Sequence, residues 1–255
     1  MAVFGNVMMV FKKLLGIPLG ELFSYYRFDN NFLDQRSANN ASGTNVAFQT
    51  SPKRAGTHSA KFDSVYPSPS YATIPYSADF DFGNGTTDRA FSISFWIYPT
   101  SENSYDFFIT KREQAYSAEF QVSYDPTDGY RFLIFNDERP SGGSTRFLTA
   151  FNTAAYNLNS WQMVTATYDG NLGINIYVNE AATTSVVNTN SFTVIKTYPQ
   201  DITIGVAGWE KTLSRFSYKG NMDCLGFWNA ELTPEQIGLI YQKGLNNLEL
   251  IWKLN

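Results

Sequence analysis

The chain has 255 residues, with 19 Lys and Arg against 23 Asp and Glu, so its formal net charge is −4 at pH 7; that balance offers no basic footprint for nucleic acid or an anionic membrane. Hydrophobic residues make up 43% of it, including 21 Phe, 16 Tyr and 5 Trp, while charged residues reach only 16%, which is the composition of a chain that buries a core and is not disordered. One cysteine, Cys224, and one histidine, His58, exclude an internal disulfide, a zinc finger and a cluster of imidazole ligands.

In chain order, residues 1–20 come first. Val3, Val7, Val10, Phe11 and Leu14 are spaced as one stripe of an amphipathic helix, although Gly5 and the β-branched valines weaken it. Lys12 and Lys13 follow the apolar run and Gly16-Ile17-Pro18 closes it, the reverse of a secretory signal. The run is also shorter than the ~20 residues that span a bilayer. It reads as a retained segment that either packs on its own domain or docks as an arm on a partner subunit.

From Leu22 the period changes to two. Phe91 to Tyr98 alternates strictly, with Phe91, Ile93, Phe95 and Ile97 on one face and Pro99 at its end. Further strands are predicted at 107–111, 118–124, 130–136, 146–151, 161–168, 174–179, 201–206 and 221–228. Turn-forming stretches separate them, at 125–129, 140–143, 169–171 and 188–190. Asp169-Gly170 joins two alternating runs and marks 161–179 as a hairpin. Thr233, with Pro234 and Gln236 behind it, predicts a capped helix whose apolar face is Ile237, Ile240 and Tyr241 and whose end is Gly244. Leu248, Leu250, Trp252 and Leu254 alternate again, as a last strand or a contact segment. The organisation expected is thus an arm over 1–20, an all-β two-sheet antiparallel sandwich over 21–247, and a tail over 248–255.

Several runs carry a family resemblance. Tyr25 to Asp34, Ala60 to Asp63, Phe91 to Pro99, Trp161 to Gly170 with Ile176 to Asn179, Ile202 to Gly205, Gly220 to Asn229 and Leu232 to Ile237 stand in the order found in laminin-G-like domains. The chain therefore resembles the concanavalin A-like lectin and glucanase superfamily over about residues 22–245. The resemblance implies a jelly roll; function must still be argued from sites.

Glycosidic hydrolysis normally needs two carboxyl groups flanking the bond, and in the superfamily's glucanases those acids alternate along one strand. Here Glu119 is followed on its face by Gln121, and Asp223 by Leu225, so no catalytic residue is assigned. His58 lies in a loop with no nucleophile motif, and Cys224 in an alternating apolar strand reads as an inert thiol. Many laminin-G-like domains bind calcium, and by resemblance Asp29, Asp34 and Asp223 are the candidate ligands. The competing reading pairs these acids with Arg27 and Arg36 or has them cap turns. For a glycan, Tyr66, Tyr71, Tyr105, Tyr116 and Trp209 fall in predicted loops or at strand ends, where an aromatic face with a polar edge meets a sugar.

The function expected is a non-catalytic binding or structural protein, specifically a virion surface component such as a phage capsid decoration or tail-associated adhesion module. Its partners would be copies of itself or other virion subunits, held through residues 1–20 and the tail, with a glycan as ligand. The alternatives are a free extracellular lectin without a classical signal peptide and a divergent glycan hydrolase or lyase.

Overall fold

The computed structural model describes residues 16–65, 67–114, 117–136, 145–212 and 216–250. Among these described residues fifteen strands run in chain order: β1 Leu22–Tyr26, β2 Ser42–Thr44, β3 Ala47–Gln49, β4 Ser59–Phe62, β5 Tyr71–Ile74, β6 Phe91–Pro99, β7 Asp106–Gln114, β8 Ser117–Asp125, β9 Gly129–Asn136, β10 Arg146–Asn152, β11 Gln162–Tyr168, β12 Ile174–Val178, β13 Ser185–Thr189, β14 Ile202–Ile204 and β15 Gly220–Trp228. A short 3-10 turn, Ala78–Phe80, precedes β6, and the helix α1, Pro234–Leu245, follows β15. One sheet has seven strands in the order β12-β11-β6-β15-β4-β3, with β1 also on β15; the other has eight, β13-β10-β9-β8-β7-β14-β5-β2. All pairings are antiparallel, so the expected sandwich is what forms.

The alternating residues fill the space between the sheets. Phe91, Ile93, Phe95 and Ile97 of β6 meet Phe120 and Val122 of β8 and Phe132 and Ile134 of β9 in one buried cluster. Its centre is ring on ring, with Phe82 stacked on Phe91 at 3.9 Å. Asp169-Gly170 makes the β11–β12 turn as expected, Gly170 taking φ +82° where a side chain would strain the backbone.

The chain ends differ from the expectation in two places. Thr233 and Gln236 do form the capping box, but Gly244 does not stop α1, which runs on to Leu245. Gly244 is instead a point of close approach, since a Cβ there would lie 2.3 Å from the Trp96 indole. Asn247 takes the left-handed conformation beyond the helix, at φ +57°. The described part of the tail, 248–250, is not a strand. Leu250 is buried beside Ile17, Trp96 and Trp228, and Lys243 Nζ donates to the carbonyls of Glu249 at 2.9 Å and Leu250 at 3.2 Å. The described portions of both terminal segments thus pack on the chain's own domain; residues 1–15 and 251–255 lie outside the described residues.

Candidate functional site

A groove of about 440 Å³ opens on the outer face of the eight-stranded sheet. Strand alternation builds it. Because Phe120, Val122, Phe132, Ile134 and Leu148 point inward, Gln121 of β8, Arg131, Leu133 and Phe135 of β9 and Phe147 of β10 point outward, and all five line the groove. Register places Leu133 opposite Gln121 and Phe135 opposite Phe147. On β7, irregular pairing between Phe107 and Ile109 and again around Arg112 brings Phe107 and Arg112 into the same lining. Tyr105, which precedes β7, and Trp209 and Phe216, which come from the connection between β14 and β15, complete the wall.

The rings form a connected set. Phe107 meets Trp209 edge-on at 5.1 Å and 89°, Tyr105 lies 6.0 Å from Phe216, and Phe135 lies 6.0 Å from Phe147. Two guanidinium groups stack on these rings: Arg112 over Trp209 at 4.1 Å and over Phe135 at 5.3 Å, and Arg131 over Tyr105 at 5.5 Å. Such stacking fixes a guanidinium plane while leaving its N–H edge for hydrogen bonds. Arg131 is steadied further by Asp125 at 3.3 Å and Asp128 at 3.4 Å, both through Nη1, while its Nε is buried with no hydrogen-bond partner. The lining therefore offers apolar faces with polar edges between them, and its described residues include no carboxylate.

Two residues before Gln121 on β8 stands a buried acid, Glu119. Lys111, almost fully buried, pairs with it at 2.9 Å and with Asp81 at 2.6 Å, and the Tyr198 amide donates to it at 2.6 Å. Burial outweighs the lysine and pushes the Glu119 carboxyl up to about 7. At one end of the sandwich Asp106 accepts from the Tyr156 hydroxyl at 2.8 Å and from Asn103 at 3.1 Å, and burial raises it also to about 7.

Of the sequence-derived glycan candidates, Tyr105 and Trp209 lie in the groove. Tyr71 does not line it: this residue begins β5, two strands from β7, with Lys211 over its ring at 5.5 Å. Tyr66 and Tyr116 lie outside the described residues. Sequence reasoning missed Phe107, Arg112, Arg131, Phe135, Phe147 and Phe216, because the outer face of a strand looks like any other alternate face until its cover, or lack of one, is known.

The calcium candidates are held separately. Asp29 pairs with Arg27 at 2.6 Å and accepts from the amide of His58 at 3.0 Å, and from both the amide and the hydroxyl of Thr57. Burial would raise its carboxyl, but those donors and the arginine hold it below the usual range. Asp34 accepts from the amides of Tyr25 and Arg36, both at 2.9 Å, and from the Ser37 hydroxyl. Asp223, fully buried, accepts from the amides of Arg54 at 2.7 Å and Ala55 at 3.1 Å; burial raises it to about 7. Among the described residues no group of three or more His, Cys, Asp or Glu side chains is arranged to hold a metal ion, so the three acids are not brought into one site. Cys224 is buried and its thiol pushed up by burial, which makes it a poor nucleophile.

The sequence model of the laminin G family, described as the concanavalin A-like lectin/glucanases superfamily, matches residues 69–238, more than half of the chain. The chain belongs to this family. No curated protein sequence matches it. Among solved structures, domain 4 of an extracellular arabinanase from Geobacillus stearothermophilus, in complex with arabinotriose, is similar with a TM-score of 0.55 at 16% identity, covering 86% of this chain and 97% of that one. The ligand-binding domain of botulinum neurotoxin serotype D in complex with N-acetylneuraminic acid gives a TM-score of 0.60 at 15% identity, over 90% of this chain and 52% of that one. The binding domain of Paraclostridial Mosquitocidal Protein 1 gives 0.61 at 14%, over 88% and 52%. The chain spans about half the length of these toxin domains, and at such identity the likeness is one of fold. No described helix is long and apolar enough to cross a membrane.

Proposed function

We propose that the protein is a non-catalytic carbohydrate-binding domain and that the groove on the eight-stranded sheet is its glycan site. The observation that carries this reading is the groove itself: aromatic faces, of which Tyr105, Phe147, Trp209 and Phe216 are at least partly exposed, lie beside guanidinium and amide groups. A sugar ring has the complementary pattern, an apolar C–H face to lie on the electron-rich face of a ring and hydroxyls at its rim for charge-assisted hydrogen bonds. The lining lacks the carboxyl pair that hydrolysis needs, and Glu119 is held by Lys111 in a buried ion cluster, which favours binding over cleavage. Domains of this fold that are bound to arabinotriose and to N-acetylneuraminic acid support the same reading.

A glycan array followed by calorimetry on the hits tests it. Binding that Trp209→Ala weakens roughly thirtyfold is expected, with the variant's melting temperature close to that of the parent; an array without a hit, or binding indifferent to Trp209, Phe107 and Tyr105, refutes it. The finer part of the proposal is that the domain serves adhesion on a virion surface, for which the support is the apolar sequence of residues 3–15, beyond the terminal residues that pack on the domain itself. Mass spectrometry of purified particles from the source tests that part, and absence of the chain from them overturns it.

A further inference from the structure

We infer that the folded chain joins Lys111 to Asp81 by an amide bond between Lys111 Nζ and Asp81 Cγ, with Glu119 carrying the protons. The inference stands on the buried ion cluster and is independent of the glycan reading of the groove. Three elements bring the groups together. Lys111 stands on β7 where its pairing with β8 is irregular, Glu119 on β8 next to the Phe120 that faces the lysine, and Asp81 directly after the 3-10 turn. Lys111 Nζ lies 2.6 Å from Asp81 Oδ1 and 2.9 Å from Glu119 Oε1, and donates to the Phe80 carbonyl at 3.2 Å. The lysine side chain is 1% exposed and that of Glu119 fully buried. An amine held in contact with a carboxyl group, away from bulk water, meets the conditions for condensation: the reacting atoms are already positioned, and hydrolysis is disfavoured. The two acids differ in role. The Tyr76 hydroxyl donates to Asp81 Oδ2 at 3.0 Å, which places a donor on the oxygen where negative charge grows during attack. Glu119 is anchored by the Tyr198 amide at 2.6 Å, and burial raises its carboxyl to about 7, so it takes up and returns a proton near neutrality. Lys111 gives one proton to Glu119, and the neutral Nζ turns its lone pair to Asp81 Cγ and forms the C–N bond. A second nitrogen proton and the one on Glu119 pass to the departing Asp81 oxygen, the C–O bond breaks and one water leaves; Glu119 ends as it began. An ammonium and a carboxylate thereby become a neutral amide, which removes two charges whose burial is costly. With one cysteine the chain has no internal disulfide; this bond ties the segment ahead of β6, in one sheet, to β7 in the other.

Mass spectrometry of the full chain, purified folded and then denatured, decides this. Its mass is expected to fall short of the sequence mass by one water, and digestion to yield a branched peptide in which fragmentation places Asp81 on the side chain of Lys111. Glu119→Gln, which keeps the size of the side chain but not its proton-carrying carboxylate, and Lys111→Arg are expected to show the full mass of their sequences. Glu119→Asp, a carboxyl one methylene shorter, is expected to condense only in part. Melting temperature and near-ultraviolet circular dichroism report the fold of each variant. A parent chain at full mass overturns the inference, whatever the variants do. A water lost elsewhere, as by succinimide formation at Asp128-Gly129 or Asp169-Gly170, leaves the two peptides separate and overturns it equally. A branch from Lys111 to Glu119 would overturn the assignment of Asp81 as the acylating partner, and a folded Glu119→Gln chain that still lacks the water would overturn the role of Glu119.

Discussion

Each sheet of the sandwich carries on its outer face a tryptophan with an arginine stacked on it. On the seven-stranded sheet, Arg54 lies 4.7 Å over Trp96; on the eight-stranded sheet, Arg112 lies 4.1 Å over Trp209. The first pair is closed off by the chain itself. Tyr241 of α1 stacks on Trp96 at 5.4 Å and 12°, Arg54 Nε donates to the Gly244 carbonyl at 2.6 Å, and Trp96 is left 2% exposed within a cluster that includes Tyr25, Trp228, Ile17 and Leu250. Among the described residues no helix covers the second pair; Trp209 stays half-buried and Tyr105 is 37% exposed. The same residue chemistry is therefore enclosed on one face and left partly exposed on the other, and the difference is the cover supplied by α1 and the described terminal residues.

That contrast is open to direct attack. Trp96→Ala is expected to cost about 3–5 kcal/mol of stability, as truncation of a buried tryptophan under a helix does, read from urea denaturation, with little change in glycan affinity per folded molecule. Trp209→Ala should do the opposite. A loss of about 2 kcal/mol in binding, roughly thirtyfold in Kd by calorimetry, should come with a stability change near zero. If both variants lose stability and neither loses binding, the two faces are alike and the comparison fails.

Acidity sharpens it further. Burial raises Asp223 beneath the covered face, and Asp106 and Glu119 elsewhere, to about 7, whereas in the unfolded chain such acids titrate near 4. Between about pH 4 and 7 the folded state then holds protons that the unfolded state has released, so stability falls as pH rises through that window. Asp29, held below its usual range, contributes in the opposite direction at more acidic pH. The melting temperature is expected to be several degrees higher at pH 5 than at pH 8, given about 2–4 °C per kcal/mol for a chain of this size, and Asp106→Asn should reduce that difference. A melting temperature that rises from pH 5 to pH 8 would contradict it. The smallest effect belongs to the cover's own anchor: Thr233→Ala removes the capping box of α1 and should cost about 1 kcal/mol, measured by denaturation.

Much of the architecture was legible because one physical signal reports it. A strand with one buried side alternates, and β6 to β12 with β14 and β15 all appear in the sequence to within a few residues. β13 did not appear: Ser185–Thr189 sits at the edge of its sheet with its residues largely exposed, so there is no apolar face to set the period, and its Asn188 reads as part of a turn. The capping box was legible for the same local reason, since both of its partners lie within one helical turn. Gly244 misled because a glycine near a helix end suits a left-handed terminus, whereas here it makes room for an indole that is distant in sequence.

By itself, then, the sequence determined the longer alternating strands from β6 onward, where the hairpin turns and where the helix begins, since each depends on neighbours a few residues apart. It also determined that one cysteine and one histidine leave no internal disulfide and no cluster of imidazole ligands within these residues. Only the tertiary structure decided which of the many aromatics form a site. Phe107, Arg112, Arg131, Phe135 and Trp209 come from two nonadjacent strands and a long connection, and strand alternation assigns a residue to one of two faces without saying which face the rest of the chain will cover.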